Sequence, residues 1–157
     1  MLLMLSVVLG GKLAEGFRGV PYGTPIAEVE KPSPDCIDSP DDGVKWSCPS
    51  TIGEVSVRIS WMEGEGLFLG PYISAEGFSQ CEALHNSLVA GWGPGKQEND
   101  YDNSALPAWN WNDGNAIASF EYNRYSQVCF ALAFDMKIYG EVEAKKKEKA
   151  AKAVDDL

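Results

Sequence analysis

Histidine occurs once in this chain, at His85, and cations are scarce: 13 Lys+Arg stand against 23 Asp+Glu, a formal net charge of -10. Nucleic-acid binding is driven by clustered cations on phosphates, so a nucleic-acid partner is not expected. No apolar run reaches the eighteen or so residues that span a bilayer, so no transmembrane span is expected. The sequence has no G-x-S-x-G, no phosphate-binding loop and no dinucleotide fingerprint. It also has no C-x-x-C, which argues against a zinc site and against a redox motif. A Ser-His-Asp or Cys-His arrangement would have to use His85, which falls mid-helix beside an apolar stripe. No catalytic residue, metal or cofactor is expected.

The chain has 157 residues, 45% of them hydrophobic, with five Trp, six Tyr and six Phe. That is enough to bury one core, and too apolar for a disordered chain. Residues 2–9 read LLMLSVVL and are followed by Gly10, Gly11 and Ala14. This has the length of a signal-peptide core, although no Lys or Arg precedes it; a buried strand is the alternative reading. No cysteine directly follows the run, so no lipid anchor is expected. The division read here is a leader at 1–14, one α+β domain at 15–138 and a charged helical tail at 139–157. The tail holds five Lys but few large apolar side chains.

Four cysteines lie beyond the leader: Cys36, Cys48, Cys81 and Cys129. An even count behind a leader reads as disulfides of a periplasmic or secreted protein. Four cysteines allow three pairings. Joining Cys36 to Cys48 closes a loop rich in Pro and Asp. It leaves Cys81, on a predicted helix, for Cys129, on a predicted strand.

Thr24-Pro25 is read as the cap and first residue of a helix that carries Ile26 and Val29 and stops at Pro32. Residues 32–53 read as a loop anchored by Trp46. Val55, Val57, Ile59 and Trp61 alternate with Ser56, Arg58 and Ser60, a half-buried strand. Residues 67–73 return after a Gly turn, and Pro71 argues for an edge position or a strand end. Phe78, Cys81, Leu84, Leu88 and Trp92 recur at helical spacing. Three strands follow at 107–112, 116–122 and 127–138, with Asn112-Asp113-Gly114-Asn115 as a hairpin signal. The last strand alternates Cys129, Ala131 and Ala133 with Phe130, Leu132 and Phe134. The expected fold is α+β. Two helices pack on one face of an antiparallel sheet in the order β-α-β-β-α-β-β-β, and a charged C-terminal helix follows.

Paired carboxylates are candidates at Glu63 and Glu65 and at Asp100 and Asp102, and a glycosidase needs only two. Asp35, Asp38, Asp41 and Asp42 crowd one loop, and Glu98, Asp100 and Asp102 another, without EF-hand spacing. Solvated acidic loops are the plainer reading.

The opening Phe17-Arg18-Gly19-Val20-Pro21-Tyr22-Gly23, with Glu28-Val29 after it, resembles a motif of small uncharacterised exported bacterial proteins. There an F-R-G-[IV]-x-[WY]-G strand precedes a helix with x-x-E-V. Residues 88–133 are similar to the second half of those proteins. More distantly, Gly23-x-x-x-x-Glu28-Val29 before a Trp-bearing strand is similar to the outer-membrane assembly lipoprotein and β-lactamase-inhibitor fold. That resemblance implies helices on one face of an antiparallel sheet and a role in protein–protein contact. It implies no catalytic residue.

A sheet with helices on one side leaves its other face over. Trp109 and Trp111 share a strand face, with Tyr122 and Tyr125 nearby. If open, that face is a platform for a protein anchor or a sugar ring. The expected function is a non-catalytic binding or interaction module of the bacterial envelope whose partner is another envelope protein. A carbohydrate-binding or carbohydrate-active protein is the alternative.

Overall fold

The computed structural model describes residues 12–98 and 106–156. The run at 2–9, with Gly10 and Gly11, lies outside the described residues, as do Asp100 and Asp102. Of the predicted leader, Leu13 is described and is 1% exposed. The Ala14 N–H donates to Asp113 Oδ2 at 3.0 Å.

Among the described residues the fold is α+β, with one antiparallel sheet of eight strands and two α-helices. The strands are β1 (Ile37–Asp38), β2 (Val44–Ile52), β3 (Val55–Gly64), β4 (Leu67–Glu76), β5 (Lys96–Gln97), β6 (Trp109–Asp113), β7 (Ala116–Asn123) and β8 (Val128–Asp135). Helix α1 is Phe78–Trp92 and α2 is Met136–Asp155. The strand order is β1-β2-β3-β4-β8-β7-β6-β5. Two four-strand meanders therefore meet through their last strands, and Tyr72 of β4 pairs with Leu132 of β8 at the seam.

The core lies on one face. Val55, Val57, Ile59 and Trp61 of β3, Ile73 and Ala75 of β4, and Cys129, Ala131 and Ala133 of β8 are buried there. Helix α1 covers them with Cys81, Leu84 and Leu88, three positions on one helical stripe. The small residues of β8 let the helix come close enough for the Cys81–Cys129 disulfide. Cys36–Cys48 is the second bridge. Each large core side chain contributes roughly 1.5–3 kcal/mol by leaving water.

The opening motif has a clear mechanical basis. Phe17 and Val20 exchange backbone hydrogen bonds across a two-residue turn, with Gly19 at φ 80°. Phe17 drops into the core against Trp61, with ring centroids 5.5 Å apart. The Arg18 guanidinium donates to Ser50 Oγ and to the Thr51 carbonyl, at 2.8 and 2.7 Å, and so blunts the outer edge of β2.

Four expectations are corrected. The helix after Pro25 is only a 3-10 turn, Ile26–Glu28. Its backbone is drawn instead to the β3–β4 hairpin: Gly23 N–H donates to Phe68 O, and Ile26 N–H to Gly66 O. Residues 32–53 are not all loop, because Trp46, Cys48 and Ile52 bury one side of β2 despite Pro49. Pro71 lies inside a central strand, neither at an edge nor at a strand end. It sits beside a bulge and just before the β4–β8 ladder begins, where no donor is needed. The expected pair of helices does not cover the core face: its first member is that 3-10 turn, so α1 alone packs there, and the strand and helix order is four strands, α1, four strands, α2. Helix α1 lies on the core, while α2 leaves β8 at Asp135, whose Oδ1 accepts from the Ile138 N–H. Its Val142 packs over Gly64 and Leu69 at the tip of the β3–β4 hairpin.

Candidate functional site

Cross-strand partners point to the same side of a sheet, so the register sorts every side chain onto one face or the other. Trp109 and Trp111 fall on the core face. Their indole Nε1 groups donate to the carbonyls of Pro94 and Gly93, each at 2.8 Å. Trp111 is 3% exposed and packs against Trp92, with centroids 5.4 Å apart. Tyr122 is half-buried against Phe78. Tyr125 stands apart in the β7–β8 turn, 84% exposed. These four residues thus form no common open platform. The two Trp residues clamp the end of α1 to β6.

The opposite face is left uncovered by α1; α2 reaches it at one end, where Val142 lies over Gly64, two residues beyond Met62 on the same side of β3. One row across this face reads Ser47, Ser60, Tyr72, Leu132, Ser119 and Asn110. The next reads Arg58, Ser74, Phe130 and Glu121, and a third holds Met62, Phe134 and Ile117. The rings of Tyr72 and Phe130 lie 5.5 Å apart, and those of Phe134 and Tyr139 lie 5.2 Å apart. All six apolar groups of these rows are half-buried. Exposed Met136 and Tyr139 at the head of α2 extend the strip. Charge is sparse here: Arg58, which donates to Ser47 Oγ at 3.0 Å, and Glu121 are the two charged groups of these rows. Burial, and then the charge of Glu121, push the Tyr72 hydroxyl upward. A depression of about 280 Å³ lies at the β6–β8 side, lined by Asn110, Asn112, Ile117, Ser119 and Phe134.

A sequence signal for this face exists. Once Cys129 is tied to the helix, Ala131 and Ala133 must share its side. Phe130, Leu132 and Phe134 must then face away. Trp109 and Trp111 share the side of Ala131 and Ala133 and so are not the open platform.

His85 packs on Trp109 and Phe120, at 4.8 and 5.2 Å between centroids, and its buried Nε2 has no hydrogen-bond partner. Burial holds its pKa below 6.5, and the Asn86 side chain partly opposes the shift. Acidification therefore protonates this residue more readily in the unfolded chain. The stability carried by the neutral ring is complete above about pH 6.5, falls as the pH drops through that value and levels off below the folded pKa. Urea midpoints at several pH values should show a steeper acid loss for wild type than for His85→Gln. Equal slopes would refute the account.

The acidic candidates are only partly brought together. Asp42, Glu63 and Glu65 line a polar depression with Lys146. Glu65 there pairs with Lys149. Among the described residues no group of three or more His, Cys, Asp or Glu side chains is placed to hold a metal ion.

Comparison with protein-family models, curated proteins and solved structures finds no match to this chain.

Proposed function

We propose that this protein is an exported, non-catalytic binding module of the bacterial envelope that holds a protein partner on its open sheet face. The observation that carries the reading is the aromatic strip of Tyr72, Phe130, Leu132 and Phe134 on the face opposite α1. Interface cores are rich in Tyr, Phe, Met and Arg and poor in Lys, Asp and Glu, and this strip has that composition. Two buried disulfides fit an oxidising compartment. Among the described residues no helix is long and apolar enough to cross a membrane. Leader cleavage after Gly10 would keep Leu13 in the core, whereas cleavage after Ala14 would remove it.

A glycan is the second reading. The depression beside Phe134 presents the amides and hydroxyl of Asn110, Asn112 and Ser119, which suits a neutral sugar.

The test compares wild type, Phe130→Asp and Tyr125→Ser as oxidised baits on an envelope extract. Burying a charge at the centre of the strip should weaken capture at least about thirtyfold, the size of a hot-spot loss. Tyr125→Ser, remote in its turn, should capture as wild type does. Equal capture by both variants overturns the protein reading. Retention on a glycan column that only Phe130→Asp loses would favour the sugar.

A further inference from the structure

We infer that the partner on the open face is a second copy of this chain, packed sheet to sheet about a two-fold axis running along the strands between β4 and β8. The inference rests on the reading that this face binds protein.

The argument is one of register. The face is ordered β3, β4, β8, β7 around the seam. A two-fold along the strands lays β3 of one copy over β7 of the other, and β4 over β8. The rows then match themselves. Arg58 meets Glu121 of the second copy, and Glu121 meets its Arg58. Tyr72 meets Leu132, Met62 meets Ile117, and Ser60 meets Ser119. Phe130 falls over Ser74, a large residue over a small one, as interdigitated sheets require. Within one copy Arg58 and Glu121 stand three strands apart, about 14 Å, so they do not pair there. Turning the axis across the strands, through the Tyr72 row, sets Arg58 on Met62 and Glu121 on Ile117. That arrangement buries both charges on apolar groups, which is costly. Charge complementarity therefore selects both the occupant and the axis. An isologous contact needs such self-complementarity, in which residue i meets j and j meets i.

The test uses the full oxidised chain in sedimentation equilibrium. Wild type should dimerise with concentration. Arg58→Glu and Glu121→Arg should each raise the dissociation constant at least about tenfold, because each sets like charges face to face twice per dimer. The double variant should return to within about threefold of wild type. Ser60→Cys mixed with Ser119→Cys should give a cross-linked pair, while Ser60→Cys alone should not.

A wild-type chain that stays monomeric overturns the inference. So does a dimer that ignores the charge reversals and the cross-link design, since it would use another surface. In either case, loss of an envelope partner by Phe130→Asp would leave the broader binding reading standing. Full capture by that variant would remove both.

Discussion

Removing the Cys81–Cys129 bridge by substituting alanine at both positions is expected to cost about 4 kcal/mol, more than removing Cys36–Cys48, at about 3 kcal/mol. The difference comes from loop length. The first bridge spans 48 residues and the second 12, and a longer closed loop takes more entropy from the unfolded chain. All four sulfur-bearing residues are almost wholly buried, so neither bridge gains from exposure. A domain of this size carries roughly 5–15 kcal/mol in total. The loss of Cys81–Cys129 thus leaves it marginal, and urea denaturation should show the lower midpoint for that variant. If the Cys36/Cys48 variant is instead the weaker one, local packing rather than loop closure governs these bridges.

Gly70→Ala should be comparably damaging. A Cβ built at Gly70 would stand 1.9 Å from the Ala133 carbonyl oxygen and 3.0 Å from its carbon. Both atoms are backbone of β8, so nothing flexible can yield. Gly70 also sits at φ 143°, where an L side chain is strained. Forced overpacking costs about 1–3 kcal/mol and backbone strain a further 1–3. The sum is about 2–6 kcal/mol, placed at the seam between the two meanders. Gly66→Ala is the control: it too has positive φ, at 76°, but open space around it. It should lose only about 1 kcal/mol. Thermal unfolding of the two variants checks the contrast, and equal midpoints would mean that β8 gives way more easily than its hydrogen-bonded position suggests.

Much of the sheet is legible in the sequence, because alternation speaks directly of a half-buried strand. β3, β6, β7 and β8 stand close to where Val55 to Trp61 and the three later runs place them. Helix α1 is equally plain from Cys81, Leu84 and Leu88. The cysteine pairing follows from one helix and one strand that must meet. Less legible is anything that depends on a partner elsewhere in the chain. Residues 44–52 look like loop because Pro49 and three polar hydroxyls dilute the alternation. They extend because β3 lies alongside. Thr24-Pro25 has a good helix start, but hydrogen bonds offered by Phe68 and Gly66 outcompete it. The Trp pair looks like a platform because its neighbours, the Gly93 and Pro94 carbonyls, come from the far end of α1. Which face stays open is a tertiary property, and only the tie at Cys129 encodes it locally.

The palindromic strand order has a kinetic consequence. Hairpins β2–β3, β3–β4, β6–β7 and β7–β8 each join neighbours in sequence and can close quickly. The β4–β8 ladder cannot, because Tyr72 must find Leu132 across a whole intervening half. Such distant pairing closes late and limits the folding rate. Each half can thus mature by itself, with the β4–β8 zipper as the closing event. Cys129 lies within that zipper, beside Ala75. Oxidation at Cys81 and Cys129 would then act as a latch, turning a slow, reversible joining of halves into a committed one.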